Sequence, residues 1–195
     1  MTFARRTHDL NTGNSLTEEK IENEFDAIYN VFNGTTDVEV ELKGGLTIEA
    51  QSGFSAYRAT AQSIPSSVLT TVIFSTEVYD TLGEYDHATG IFTATQAGTY
   101  LCTWIVQLTS AAWTDNEFFV TECLKNNLVT AGNIVRGMFT YQQGSDTNGK
   151  VSKGSHIFKL SIGDTLRIKA QHNQGAAVNT SATPNGNAFA VQKIA

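Results

Sequence analysis

Two hydrophobic periods divide this chain. Between Ser15 and Gly34 the apolar residues return at helical spacing: Ile21, Phe25, Ile28 and Phe32 form one stripe, and Tyr29 widens it. Ser15 and Glu18 make an S-x-x-E capping box at the start, and Gly34 can take the left-handed conformation that ends a helix. The pattern predicts an amphipathic helix over 15–34 carrying a short a/d seam of about two heptads. A helix this short is marginal alone in water, so its stripe needs cover. That cover is either the chain's own domain or further copies of the helix. Nothing else in the chain reads as a helix, which makes copies the nearer candidates, with Ile21, Phe25, Ile28 and Phe32 as a trimer seam.

After Gly34 the period changes to two. Val38, Val40 and Leu42 alternate with acids, Gly44-Gly45 permits a primed turn, and Leu46, Ile48 and Ala50 alternate again. This predicts a β-hairpin over 35–53, too small to be stable by itself. From Phe54 onward short apolar runs are separated by Gly, Asn, Asp and Ser. Strands are predicted at 69–75, 99–108, 117–124, 152–160, 165–172 and 188–194, with surface loops at 142–150 and 173–187. So many short strands point to an all-β sandwich or jelly roll over 54–195, with no second boundary inside it. The polar residues 1–14 have no period and read as an N-terminal anchor segment.

Totals narrow the function. The net charge is −6 and the largest basic cluster is the pair Arg5-Arg6, so binding by phosphate neutralisation is not expected and no nucleic acid partner is expected. No apolar run reaches the ~20 residues of a membrane-spanning helix, and membrane insertion is not expected. The first twenty residues lack the apolar core of a signal peptide, which predicts mature sequence. Cys102 and Cys123 sit within apolar runs and read as two buried thiols. The parity partners of Cys123, Phe119 and Thr121, give no firm face, so the pattern leaves a pairing open.

Catalytic and metal patterns are missing. His8, His87, His156 and His172 are scattered, with no second ligand at metal spacing, and read as surface or lightly buried residues. Ser145 beside Asp146 and Ser155 beside His156 lack the strand–turn–helix setting of a nucleophile elbow. No phosphate-binding or dinucleotide fingerprint occurs. The chain is expected to be no enzyme and to need no cofactor or metal. Asp80, Glu84 and Asp86 gather around Tyr85; their spacing reads as solvated turn residues rather than a calcium site. A sugar or receptor site would want an exposed aromatic among acids and amides. "SAAWTDNEFF" offers Trp113 with Asp115 and Asn116 in what reads as a loop, and these three are the candidate receptor contact.

Phe92, Tyr100 and Trp104 share one strand parity, as residues facing a common core would, and Gly98 reads as permitting a turn before Tyr100. With Phe74, Asp80 and Tyr85 these residues stand at the gaps of a known signature. The stretch from Phe74 to Trp104 resembles the globular-head family of complement component 1, subcomponent q, a branch of the tumour-necrosis-factor-like jelly rolls. Two positions depart: Cys102 and Trp104 stand where the family carries Phe and then Phe or Tyr. The resemblance extends over about 54–195 and implies a ten-stranded jelly roll that forms a tight homotrimer. Separately, "LNTGNSLTEEKIENEFDAIYNVFNG" is similar to the start of many tailed-phage fibre and structural proteins.

Joined, the two resemblances imply a homotrimeric structural protein of a bacteriophage virion: a fibre, spike, tail or capsid decoration. Residues 1–14 would attach it to other virion proteins, the helix would form a collar, and the jelly-roll head would be displayed to a host cell-surface glycan or protein. The alternative is a secreted or soluble trimeric carbohydrate-binding module of the same fold. That reading predicts an export signal or a Gly-X-Y stalk.

Overall fold

The computed structural model describes residues 50–195. The anchor 1–14, the helix 15–34 with its seam, and all but the last residues of the hairpin 35–53 lie outside the described residues. Fourteen strands follow in chain order: β1 (Gly53–Tyr57), β2 (Ser63–Ile64), β3 (Thr70–Thr71), β4 (Thr76–Asp80), β5 (Tyr85–Asp86), β6 (Ile91–Thr93) and β7 (Gly98–Gln107). Then come β8 (Phe118–Lys125), β9 (Ile134–Arg136), β10 (Thr140–Tyr141), β11 (Val151–Leu160), β12 (Thr165–His172), β13 (Val178–Asn179) and β14 (Asn187–Lys193).

Two antiparallel sheets carry almost all of them. One runs β11-β7-β14-β1-β4; the other runs β10-β8-β12-β6-β5, with β3 added to β12 and β9 added to β8. Neighbours in the sheets are mostly distant in sequence, as in a jelly roll, and the first strand lies beside the last. The predicted strands at 99–108, 117–124, 152–160, 165–172 and 188–194 correspond to β7, β8, β11, β12 and β14 within one residue at each end.

The predicted strand 69–75 is the main difference. Only Thr70 and Thr71 pair, against Ala170 and Lys169, before the chain leaves that sheet and joins the other at β4. Val72 and Phe74 are buried in the passage, and the apolar pattern there records core-filling rather than a continuous ladder. The loop expected at 173–187 likewise contains β13 and a 3-10 turn at Pro184–Gly186.

The interior has an aromatic part and a mixed part. Phe54 stacks on Tyr85 at 4.4 Å and on Phe92 at 5.3 Å, and meets Phe189 edge-on at 4.9 Å. Phe74 and Tyr100 extend the cluster, each ring within 6 Å of a neighbour. Such offset and edge contacts add to area burial because ring edges are positive and faces negative. Farther along β7 the sheets are joined by a polar chain. Trp104 Nε1 donates to Thr121 Oγ1 at 2.7 Å, which lies 2.7 Å from Ser152 Oγ, and Ser152 donates on to Met138 O. Gly154 sits opposite Trp104 on β11, where an added Cβ would lie 2.3 Å from the indole ring.

Candidate functional site

The signature residues take up structural duties. Phe74, Tyr85, Phe92, Tyr100 and Trp104 are all buried. Asp80 caps the turn after β4, accepting from Glu84 N at 3.0 Å and Tyr85 N at 2.8 Å, and Tyr85 OH accepts from Phe74 N. Burial pushes the Tyr85 and Tyr100 hydroxyls up from the usual phenol range, so both stay neutral. Gly98 does not make the turn expected of it: it is the first residue of β7. Its role is spatial, since a Cβ there would meet the Ala195 carbonyl at 2.5 Å.

The acidic group around Tyr85 is not simply solvated. Glu84 is only 4% exposed and accepts from Thr95 N, Thr95 Oγ1 and Ser52 Oγ, tying three segments together. Three donors at this buried carboxyl replace hydrogen bonds that water would otherwise supply. Asp86 is the solvated member; hydrogen bonds from Thr89 Oγ1 and Ala88 N hold it below the ordinary carboxylate range. Among the described residues no three His, Cys, Asp or Glu side chains gather as metal ligands.

Trp113 departs most from expectation. It is 1% exposed, so its ring offers no face to a receptor or glycan. Its backbone bridges to Asp146 in both directions, at 2.8 and 3.1 Å. Lys150, itself buried, lies 5.4 Å over the ring while Nζ binds both Asp146 oxygens, and the His172 ring meets the indole edge-on at 5.9 Å. The hydrogen bond from Lys150 holds the Asp146 carboxyl below its usual range. A loop-like sequence around Trp113 hid this because the covering residues come from distant strands and loops. His172 is also more buried than expected, with Nε2 2.9 Å from Ile64 O. Asp115 and Asn116 are exposed beside it. Asp115 Oδ1 accepts from Gly144 N, and Asn116 holds a left-handed φ of 65°, which asparagine tolerates. The structure therefore keeps Asp115 and Asn116 together at an exposed loop and withdraws Trp113 from them.

A surface that sequence reasoning missed is the outward face of the five-stranded sheet. Strand register lines up Ser155, Thr103, Ala190 and Ser55 in one row across β11, β7, β14 and β1. Ile157 and Leu101 flank this row on one side, 55% and 38% exposed; Ile105, Ala188 and Tyr57 flank it on the other. A groove of about 520 Å³ opens here, bordered by Met138 and Lys153. The small central side chains leave the backbone approachable, and the flanks combine these apolar residues with Gln192 beside Leu101 and Lys153 beside Ile105. The outward parity of β7 (Leu101, Thr103, Ile105) was legible in the chain. Its meaning was not, because the row exists only when four strands are in register.

The surface has no paired catalytic groups. Ser155 and His156 are successive strand residues pointing to opposite faces, and Ser145 lies in an exposed loop.

The chain belongs to the C1q domain family, whose pattern it matches over residues 53–189. Domains of this family form homotrimers and are in general non-enzymatic ligand-binding or structural modules. Among solved structures, the globular domain of zebrafish complement 1qA is similar at 16% identity and a TM-score of 0.53, over 74% of this chain and 98% of that one. Murine APRIL at pH 5.0 is similar at 16% identity and 0.55, over 74% and 99%. Eiger TNF from S. frugiperda follows at 11% identity and 0.52, over 74% and 91%. At these identities the likeness is one of fold. No curated protein sequence matches the chain.

Proposed function

We propose that this chain is a homotrimeric structural protein of a bacteriophage virion, a fibre, spike or capsid decoration whose C1q-type head is displayed outward from an N-terminal attachment. The observation that carries the trimer is the apolar outward face of the five-stranded sheet, with Leu101 and Ile157 exposed beside a row of small side chains. Water disfavours such a face, and in a closed threefold ring a different part of the neighbouring copy would cover it, because the interfaces of a cyclic trimer are heterologous. The virion assignment is supported by the sequence of residues 10–34, whose pattern predicts a capped amphipathic helix and which is similar to phage fibre N-termini. Host contact belongs to exposed loops of the head, where Asp115 and Asn116 present an acid and an amide.

Light scattering on the full chain should give three times 21.1 kDa; a single-chain mass at micromolar concentration overturns the trimer. Deletion of residues 1–34 should leave a trimeric head that no longer joins particles. Normal copy number of the truncated protein in virions would place the attachment in the head instead.

A further inference from the structure

Cys102 and Cys123 come from opposite sheets and meet in the middle of the interior. Both are fully buried free thiols, with Sγ atoms 3.5 Å apart. Their meeting is built into the packing. Trp104 on β7 faces Thr121 on β8 through a 2.7 Å hydrogen bond, and two residues along each strand, in opposite directions, Cys102 faces Cys123. The two contacts are successive rungs between the sheets. The Trp104 rung is anchored on Ser152, so the sulfurs are held face to face by neighbours that do not depend on them.

We propose that this pair is an oxidation site, a latent inter-sheet disulfide that closes when the chain meets a small-molecule disulfide and locks the two layers of the sandwich. Closing requires the sulfurs to approach from 3.5 Å to about 2.05 Å. The chemistry is thiol–disulfide exchange. One protein thiolate attacks a reagent sulfur, breaking the reagent's S–S bond and expelling one reagent thiolate. The second protein thiolate then attacks the mixed disulfide at the protein sulfur, forming the Cys102–Cys123 bond and expelling the other reagent thiolate. The two protein sulfurs lose two electrons in total, the reagent disulfide gains them, and the two protons leave on the released thiols or to water. Burial pushes the Cys102 thiol well up, which keeps the closed native state inert. Exchange therefore proceeds through transient opening, and once formed the bond ties strands that are separated by the whole loop between β7 and β8. The consequence is a head with two stabilities, lower in a reducing cytoplasm and higher outside it.

The test uses the full chain, purified with reductant, freed of it, and incubated with oxidised glutathione just below its melting midpoint. The expected product is a single chain two hydrogens lighter, with no thiols titratable in denaturant and one Cys102–Cys123 peptide on digestion. Its melting midpoint should rise by roughly 6–12 °C and return on reduction. Cys102→Ala and Cys123→Ala should each abolish that rise while accepting one glutathione adduct. Because either variant could fold poorly, the decisive comparison is the oxidised against the reduced wild type. Two thiols persisting after incubation, stable glutathione adducts on both cysteines, chains linked to one another, or a closed disulfide that lowers the midpoint would each overturn the proposal.

Discussion

The two faces of the five-stranded sheet are made by the same strands and do opposite things. Along β7, Tyr100, Cys102, Trp104 and Val106 point inward and are buried, while Leu101, Thr103 and Ile105 alternate with them on the outside. The inward side chains, from the rings of Tyr100 and Trp104 to the small Cys102 and Val106, fit against the second sheet. The outward ones are small or aliphatic and make a shallow, smooth surface. An interior needs interlocking volumes at crystal-like density, whereas an outward face meets water and is free of that demand. The comparison teaches that apolar alternation by itself does not say which face is the core: the packing of the second sheet against one of them does.

Substitutions can break or sharpen this contrast. The largest effect is expected at Trp104, where Trp104→Ala removes a buried indole and strands the Thr121–Ser152 hydroxyl chain. A loss of about 3–5 kcal/mol in denaturant unfolding is expected, enough to abolish folding at marginal stability. Trp113→Ala should behave like a core variant too, losing about 3 kcal/mol, because the ring is covered by Lys150 and His172 rather than offered to a receptor. Equal stability with weakened host adsorption would return Trp113 to the surface. Next comes Glu84→Ala, which leaves the Thr95 N–H and two hydroxyls without their acceptor and should cost about 1–3 kcal/mol by thermal or denaturant melts.

A smaller effect concerns acid. Burial acts against it, but hydrogen bonds from Asn126 and Lys125 hold Asp164 down to about 2. The folded value lies below the unfolded one, so this carboxylate stabilises the fold above pH ~4, and the contribution fades as pH falls towards 2. Asp164→Asn should lose on the order of 1 kcal/mol at pH 7, allowing for solvent screening, and the difference from wild type should close by pH 2 in urea melts. A gap that stays constant with pH would show that the charge is not its source.

The smallest expected effect on the folded chain lies on the other face. Ala190→Glu sits at the centre of the outward row and should change the folding of a single head by no more than ~0.5 kcal/mol. It should nevertheless divide the assembly, giving a 21.1 kDa species with an intact strand spectrum. If the mass stays that of three chains, the association surface is elsewhere.

Much of the head was legible in the chain. Strands β7, β8, β11, β12 and β14 are long enough to show alternation or apolar runs between turn residues, and local chemistry sets their limits. The spacing from Phe74 to Tyr100 carried the family, because a jelly roll needs those rings and that capping acid at fixed distances along the chain. The sequence by itself also determined the net charge of −6, since charge is additive and needs no coordinates. Tertiary structure alone decided four things. It buried Trp113 under Lys150, drawn from a loop more than thirty residues away. It turned Glu84 from a turn residue into an internal strut. It lined up Ser155, Thr103, Ala190 and Ser55 across four strands. It also brought Cys102 to Cys123. Each depends on side chains far apart in sequence converging across a sheet or between sheets. Periodicity reports which way a residue points relative to its own strand, and only the pairing of strands decides what it meets there.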